Sequence, residues 1–220
     1  STQGYSSAAS DVYKRQIFNK GIEKYPAYYF VGFLIFEFFA TATQTSLTTL
    51  KDNSSLLIKS KLPRELFILS RVLTAFVNFL LGCIPFAAVL AWYRAAVTIY
   101  YFMIPVVLLL LLIFTTGMSY LVSIWFVFQR DARNIYSNFI FILRFFVAMF
   151  YSVDWVADGV KWVIQHNPLY AYIYVMRQCV VYGRMPEGMY ITQMFAWAIG
   201  MFGFGILIFK KYENEVVERL

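Results

Sequence analysis

The chain has 220 residues, of which 60% are hydrophobic, 20% aromatic and 14% charged, with a formal net charge of +7. Soluble domains carry about a quarter charged residues, so this composition excludes an ordinary globular domain and places the chain in lipid, where each spanning helix needs about 20 mostly apolar residues. The positive charge is read as cationic loops facing the cytoplasm and anionic lipid, not as nucleic-acid binding.

Residues 1–16 are polar and rich in small residues, and read as a disordered tail or a non-native scar. No apolar stretch with a small-residue cleavage site precedes residue 24, so insertion is expected to rely on the spans themselves. The first span is predicted over residues 25–50. It opens on aromatics and ends rich in hydroxyls, which predicts a face packed on protein. Near its middle stands Phe36-Glu37-Phe38-Phe39. An ionisable group at that depth costs roughly 2.5–3.5 kcal/mol on insertion scales and must face water or protein. Glu37 is therefore either a carboxylate lining a conduit or half of a structural pair.

Residues 51–66 carry Lys51, Lys59, Lys61 and Arg64 against Asp52 and Glu65. The positive-inside rule makes this loop cytoplasmic. Leu56, Leu57 and Ile58 beside the lysines predict a short amphipathic helix, and Pro63 stops it from running on. A second span follows over 63–92 with a kink at Pro85, then a turn around Arg94. A third runs over 98–128 and ends at Gln129, Arg130 and Asp131, with Arg133 beyond, again inside.

The fourth predicted span, 136–153, is apolar apart from Arg144, Asn138 and a few hydroxyls. Arg144 is expected to snorkel. Residues 153–188 are broken by Asp154, Asp158, Gly159, Asn167, Pro168 and Gly183, and predict two re-entrant or interfacial helices on the outer side. The last span, 189–209, ends at Lys210 and Lys211, and Ala196, Gly200, Gly203 and Gly205 predict a face for close helix packing. The sum is an all-α membrane protein with five spans. That count puts the N-terminus outside with Lys14, Arg15, Lys20 and Lys24 on the wrong side of the charge rule, and so predicts a chain missing the first span of a six-span protein. Cys83 and Cys179 lie far apart in apolar runs and read as packing residues, and His166 as a loop hydrogen-bonder. No metal site is expected.

These segments, taken together, resemble the permeases of ABC transporters that export teichoic acid, O-antigen and capsule. The resemblance covers residues 17–220, read as a single permease domain. It rests on Asn53, Leu57, Ile58, Lys59 and Pro63 in a cytoplasmic stretch, Arg130 and Asp131 at a span end, Asn167, Pro168, Leu169 and Tyr170 before a re-entrant element, and Gly183 with Pro186. Gln129 departs from the aromatic usual in the family. What the resemblance implies is a transport subunit of the bacterial cytoplasmic membrane, six-spanned when intact, working as a homodimer on a lipid-linked or polyol-phosphate polysaccharide. It also implies docking of a separate ATPase, which binds ATP and Mg, on a coupling helix at Asn53 to Arg64. The chain itself holds no G-x-x-x-x-G-K-[ST] loop and no cofactor is expected in it. The lysines of that helix suit docking and equally suit anchoring on anionic lipid. The competing readings are an export permease for a drug or lipid, and an intramembrane glycosyl- or phosphotransferase. The latter lacks clustered acids, because Asp154, Asp158 and Glu187 are scattered.

Overall fold

A computed structural model describes residue 22 and residues 24–59, 62–93 and 98–219. The tail at 1–16, Lys14, Arg15, Lys20, Lys61, the turn around Arg94 and the side chain of Ile58 lie outside the described residues.

Regular structure among the described residues is helical throughout. Four stretches are long and apolar enough to cross a membrane: Tyr25–Asp52, Glu65–Trp92, Ile99–Phe128 and Gly188–Val216. They correspond to α1 (Tyr25–Asp52), α3 (Glu65–Trp92), a 3-10 turn (Ile99–Met103) leading into α4 (Ile104–Phe128), and α8 (Gly188–Arg219). Pro26 and Pro105 occupy the first turns of α1 and α4, where a missing N–H costs nothing. Short α2 (Ser54–Lys59) joins α1 to α3.

α1 is the central helix, buried over most of its length against α3, α4 and the re-entrant region. Its hydroxyl-rich end packs as the sequence predicts: Thr43, Ser46 and Thr49 are buried. Thr43 and Thr49 donate back to the carbonyls of Phe39 and Thr45, which keeps polar side chains tolerable inside.

The closest helix pair is α4 against α8. A Cβ on Gly117 would collide with the backbone of Met201 and Phe202, and one on Gly205 with the backbone of Gly117. Small residues allow this approach without a hydrophobic drive in lipid. The predicted small-residue face is divided by this packing. Gly205 is in it, whereas Ala196 is exposed and a Cβ on Gly200 or Gly203 would meet nothing. Gly117→Ala is expected to lower stability by about 1–3 kcal/mol through overpacking, read as a fall in thermal midpoint in mild detergent, while Gly200→Ala should leave the midpoint unchanged.

The segment predicted as one span over 136–153 is built differently. α5 (Ala132–Phe146) has 15 residues and rises only about 22 Å, short of a hydrocarbon core of about 30 Å. Beyond it Ala148 adopts φ 46°, a left-handed conformation, and the chain turns toward a 3-10 turn at Val153–Trp155. The hydroxyls of Tyr25 and Tyr28 donate to the carbonyls of Phe150 (3.1 Å) and Tyr151 (2.9 Å), so the break ends at the level where α1 begins. Non-helical backbone completes the crossing. It is tolerated because Val147, Ala148 and Met149 are buried in protein rather than lipid.

The outer region holds the two broken helices that its sequence predicts: α6 (Asp158–Gln165) and α7 (Pro168–Arg177), the latter running into a π-helical turn (Gln178–Tyr182) stopped by Gly183 at φ 59°. Asn167 caps α7 by accepting from the Leu169 N–H (3.0 Å), and its amide donates to the Phe146 carbonyl (3.2 Å). Asn167, Pro168 and Leu169 border an apolar groove of about 600 Å³ shared with Phe39, Phe114 and Met201, at the level of the middle of α1 and open on the side of the exposed Ile142 and Trp162. The other end of α7 reaches Tyr28 and, through its π turn, Tyr101. α7 therefore climbs about 15 Å, ten residues at 1.5 Å each, from mid-depth back to the outer side. That geometry is re-entrant.

Candidate conduit face and cytoplasmic docking surface

Glu37 lies near the middle of α1, 12 residues from its start. Its Oε2 is 3.6 Å from Nη2 of Arg144 on α5, and the Arg144 guanidinium stands 5.2 Å from the centre of the Phe36 ring. The two side chains are nonetheless 47% and 39% exposed. Arg144 thus does not snorkel to the cytoplasmic end as the sequence suggested. A counter-charge at its own depth holds it there, an arrangement better than a lone charge in lipid. Phe36, Phe38 and Phe39 turn into the core, with Phe38 on Phe76 and Phe79 and Phe39 on Phe114. Of those four neighbours only Glu37 reaches the surface, and a cavity of about 240 Å³ beside it is also lined by Thr41 and by Asn78 of α3.

α5 explains what this pair faces. At 100° per residue, Ala132, Tyr136, Ile140 and Val147 fall on one side and are buried. Ile135, Phe139, Ile142 and Phe146 fall on a second, exposed and apolar, as lipid demands. The third side carries Arg133, Asn134, Ser137, Asn138 and Arg144, interleaved with Phe141 and Phe145, whose rings meet edge to face at 5.7 Å. An exposed polar strip climbing from the cytoplasmic end to mid-membrane is not stable against acyl chains. It faces water or another protein surface. The sequence reading passed over this strip, although counting the helix by thirds would have separated its three sides.

At the cytoplasmic end, α2 is oriented by Leu57. Its side chain, 6% exposed, packs with Leu50, Ile68, Phe209 and Val216. Asn53 ends α1, its amide donating to the Thr49 carbonyl at 2.8 Å. Arg64 is tied to the tail of α8, donating to the Glu213 carbonyl (2.7 Å) and pairing with its carboxylate (3.4 Å). Leu56 is 54% exposed, and Lys59 and Pro63 are exposed. The outward chemistry of α2 is therefore Leu56 with Lys59, while Leu57 and Arg64 fasten the helix to the bundle. Arg130 and Asp131 stand exposed between α4 and α5 and form no ion pair among the described residues.

On the outer side the structure reveals a residue the sequence reading missed. Arg177, at the end of α7, is 3% exposed. Its Nε donates to the Tyr28 carbonyl (3.1 Å), Nη1 to Ala148 (3.1 Å) and Nη2 to Met149 (3.2 Å), and its guanidinium lies 3.4 Å from the centre of the Tyr28 ring. No carboxylate pairs with it among the described residues. Carbonyl dipoles and a ring face carry the charge instead. Gly32 makes room for it: a Cβ there would stand 2.8 Å from Nη2. Asn167, Pro168, Leu169 and Tyr170 form the inner end of the same helix, so Arg177 and Asn167 pin its two ends to the break after α5. The signal was available, since Arg177 is an ionisable residue in the apolar run YAYIYVMRQCVVY.

Comparison with known proteins gives one family match and several relatives. The family model described as ABC-2 type transporter matches residues 4–181. An O-antigen export system permease protein of Klebsiella pneumoniae is 25% identical over 200 residues, covering 90% of this chain and 77% of that protein. A second, of Myxococcus xanthus, is 24% identical over 207 residues, covering 93% and 79%.

Proposed function

Because this chain belongs to the ABC-2 type transporter family, we propose that it is the membrane-spanning permease of an ABC exporter for a lipid-linked or polyol-phosphate polysaccharide of O-antigen, teichoic-acid or capsule type. The chain is a multi-pass protein of the bacterial inner membrane. The observation that carries the reading is the half-exposed Glu37–Arg144 pair at the head of the polar strip on α5. Such a face suits a water-filled conduit between copies, and hydroxyl-rich polymer suits its mix of amides, hydroxyls and ring faces. One copy shows this face on its outside, which supports a homodimer closing the conduit between two copies. The names of the relatives support the polysaccharide as cargo.

Work for transport comes from a separate ATPase that binds ATP and Mg. Its docking surface is the outward side of α2, Leu56 and Lys59, with the exposed Arg130 and Asp131 at the same end of the bundle. Of the predicted set Asn53, Leu57, Ile58, Lys59, Lys61, Pro63 and Arg64, Lys59 belongs to this surface and Asn53, Leu57 and Arg64 hold it in place, whereas Leu56 was not in the set. Co-expression with an ABC ATPase from the same genome is expected to give, for the cognate subunit, a complex that survives mild detergent. The double variant Leu56→Asp, Lys59→Glu should lose the ATPase from the complex while its thermal midpoint stays at the wild-type value. Leu57→Asp should instead lower the midpoint, because it places a charge in the α1, α2, α3 and α8 cluster. Retention of the ATPase by the double variant would remove α2 as the docking element.

A further inference from the structure

A cavity of about 430 Å³ opens on the outer side between α6, α7 and the start of α8. Its volume falls within the range of about 300–1,000 Å³ typical of small-molecule sites, and unlike the apolar cavities in the bundle its wall is mostly polar. Three rings form one side: Tyr174 and Tyr190 at 4.0 Å between centroids, and Tyr170 edge-on to Tyr190 at 5.8 Å. The rim carries Asp154, Lys161, Arg184 and Glu187.

The partners already made there define what is left. Lys161 pairs with Asp154 at 3.3 Å, and the Tyr174 hydroxyl donates to Glu187 Oε1 at 3.0 Å. Arg177, also in the wall, is spent on its three carbonyls. Arg184 is exposed and has no ion pair or side-chain hydrogen bond among the described residues. Tyr170 is 6% exposed, and its hydroxyl, facing the cavity, has no hydrogen bond among the described residues. That hydroxyl is not among the buried unpaired atoms, so it is open to the cavity, where a ligand hydroxyl can take the place of water.

We propose that this cavity binds a single uncharged sugar unit of the exported polymer on the outer side of the membrane, a reading that rests on the proposed function above. The chemistry selects that class. The rim sets two carboxylates against Lys161 and Arg184, and the third cation of the wall, Arg177, already gives Nε, Nη1 and Nη2 to carbonyls, which disfavours a phosphate, while polar walls disfavour an acyl chain. Tyrosine rings offer a flat apolar surface for a sugar face, while the Tyr170 hydroxyl, Glu187 and Arg184 offer donors and acceptors to its edge. Held weakly beyond the bilayer, such a unit hinders the polymer from sliding back between strokes.

The test uses the permease–ATPase complex in nanodiscs and, as probe, polysaccharide freed of its lipid from the surface of cells carrying the gene, with inorganic phosphate as the second arm. Binding is read by saturation-transfer NMR and tyrosine fluorescence. The expected result is saturable polymer binding, weakened about tenfold or more in Arg184→Ala, Glu187→Ala and about threefold or more in Tyr170→Phe, with wild-type thermal midpoints and no competition by phosphate. Equal affinity in the variants, or phosphate competing at comparable concentration, overturns the sugar site and leaves the exporter intact. Absence of binding to the wild type in cells that do export polymer has the same meaning. Cells whose surface polymer does not depend on this gene bring down both readings together.

Discussion

Arg177→Met is expected to be the most damaging single substitution in the protein. It removes the only donors that Ala148 and Met149 have from this side chain, in a stretch where helical hydrogen bonding has ended. Two buried acceptors left unsatisfied at about 1–3 kcal/mol each give a loss of roughly 2–6 kcal/mol, enough to unfold the outer region of a marginally stable protein. Arg177→Lys should recover only part, because one ammonium cannot present the guanidinium fork to three carbonyls. Gly32→Ala tests the same clamp from the other side, since its methyl meets Nη2 and Met149. The measurement is the thermal midpoint in detergent together with surface polymer in cells. A wild-type midpoint for Arg177→Met would mean that the break after α5 is held by something else.

The second large effect is expected at the mid-membrane pair. Arg144→Leu leaves Glu37 without a counter-charge at a depth where an ionised group costs roughly 2.5–3.5 kcal/mol, so folded yield should fall by about tenfold or more. The double variant Glu37→Leu, Arg144→Leu should return the yield, because both charges are gone. Export separates the two roles. If the pair lines a conduit, the double variant folds and exports poorly. If the pair only joins α1 to α5, it folds and exports normally.

Much of this architecture was legible in the sequence. Long apolar runs bounded by Lys, Arg and Pro gave α1, α3, α4 and the start of α8, because in lipid each span must satisfy its own backbone, while α8 runs on as helix to Arg219, ten residues past the predicted end of its span. The broken outer region was legible from Asn167-Pro168 and Gly183, which cap α7 and stop its π turn. The early end of α5 was not. Residues 147–152 read VAMFYS, with no glycine or proline, and local preference favours continuing the helix. A side chain 29 residues away, Arg177, takes up the carbonyls that the break sets free.

The site was legible by residue type more than by role. Glu37 was singled out by its depth, but its partner Arg144 was assigned to the water interface, because a lone sequence does not say which helices adjoin. Leu57 looked like part of a docking motif, yet its burial against Phe209 and Val216 makes it the anchor, and the neighbouring Leu56 faces outward. A helix of six residues has too few positions for its faces to be told apart by periodicity.

The measurement that bears most directly on the account is the distribution of polymer after deletion of the gene. Surface polysaccharide should disappear while lipid-linked polymer of normal composition accumulates on the cytoplasmic side, and both should be restored by the wild-type gene but not by Leu56→Asp, Lys59→Glu. Surface polymer unchanged by the deletion would contradict the account. So would its loss without any internal accumulation, the signature of a missing enzyme of synthesis rather than a missing exporter.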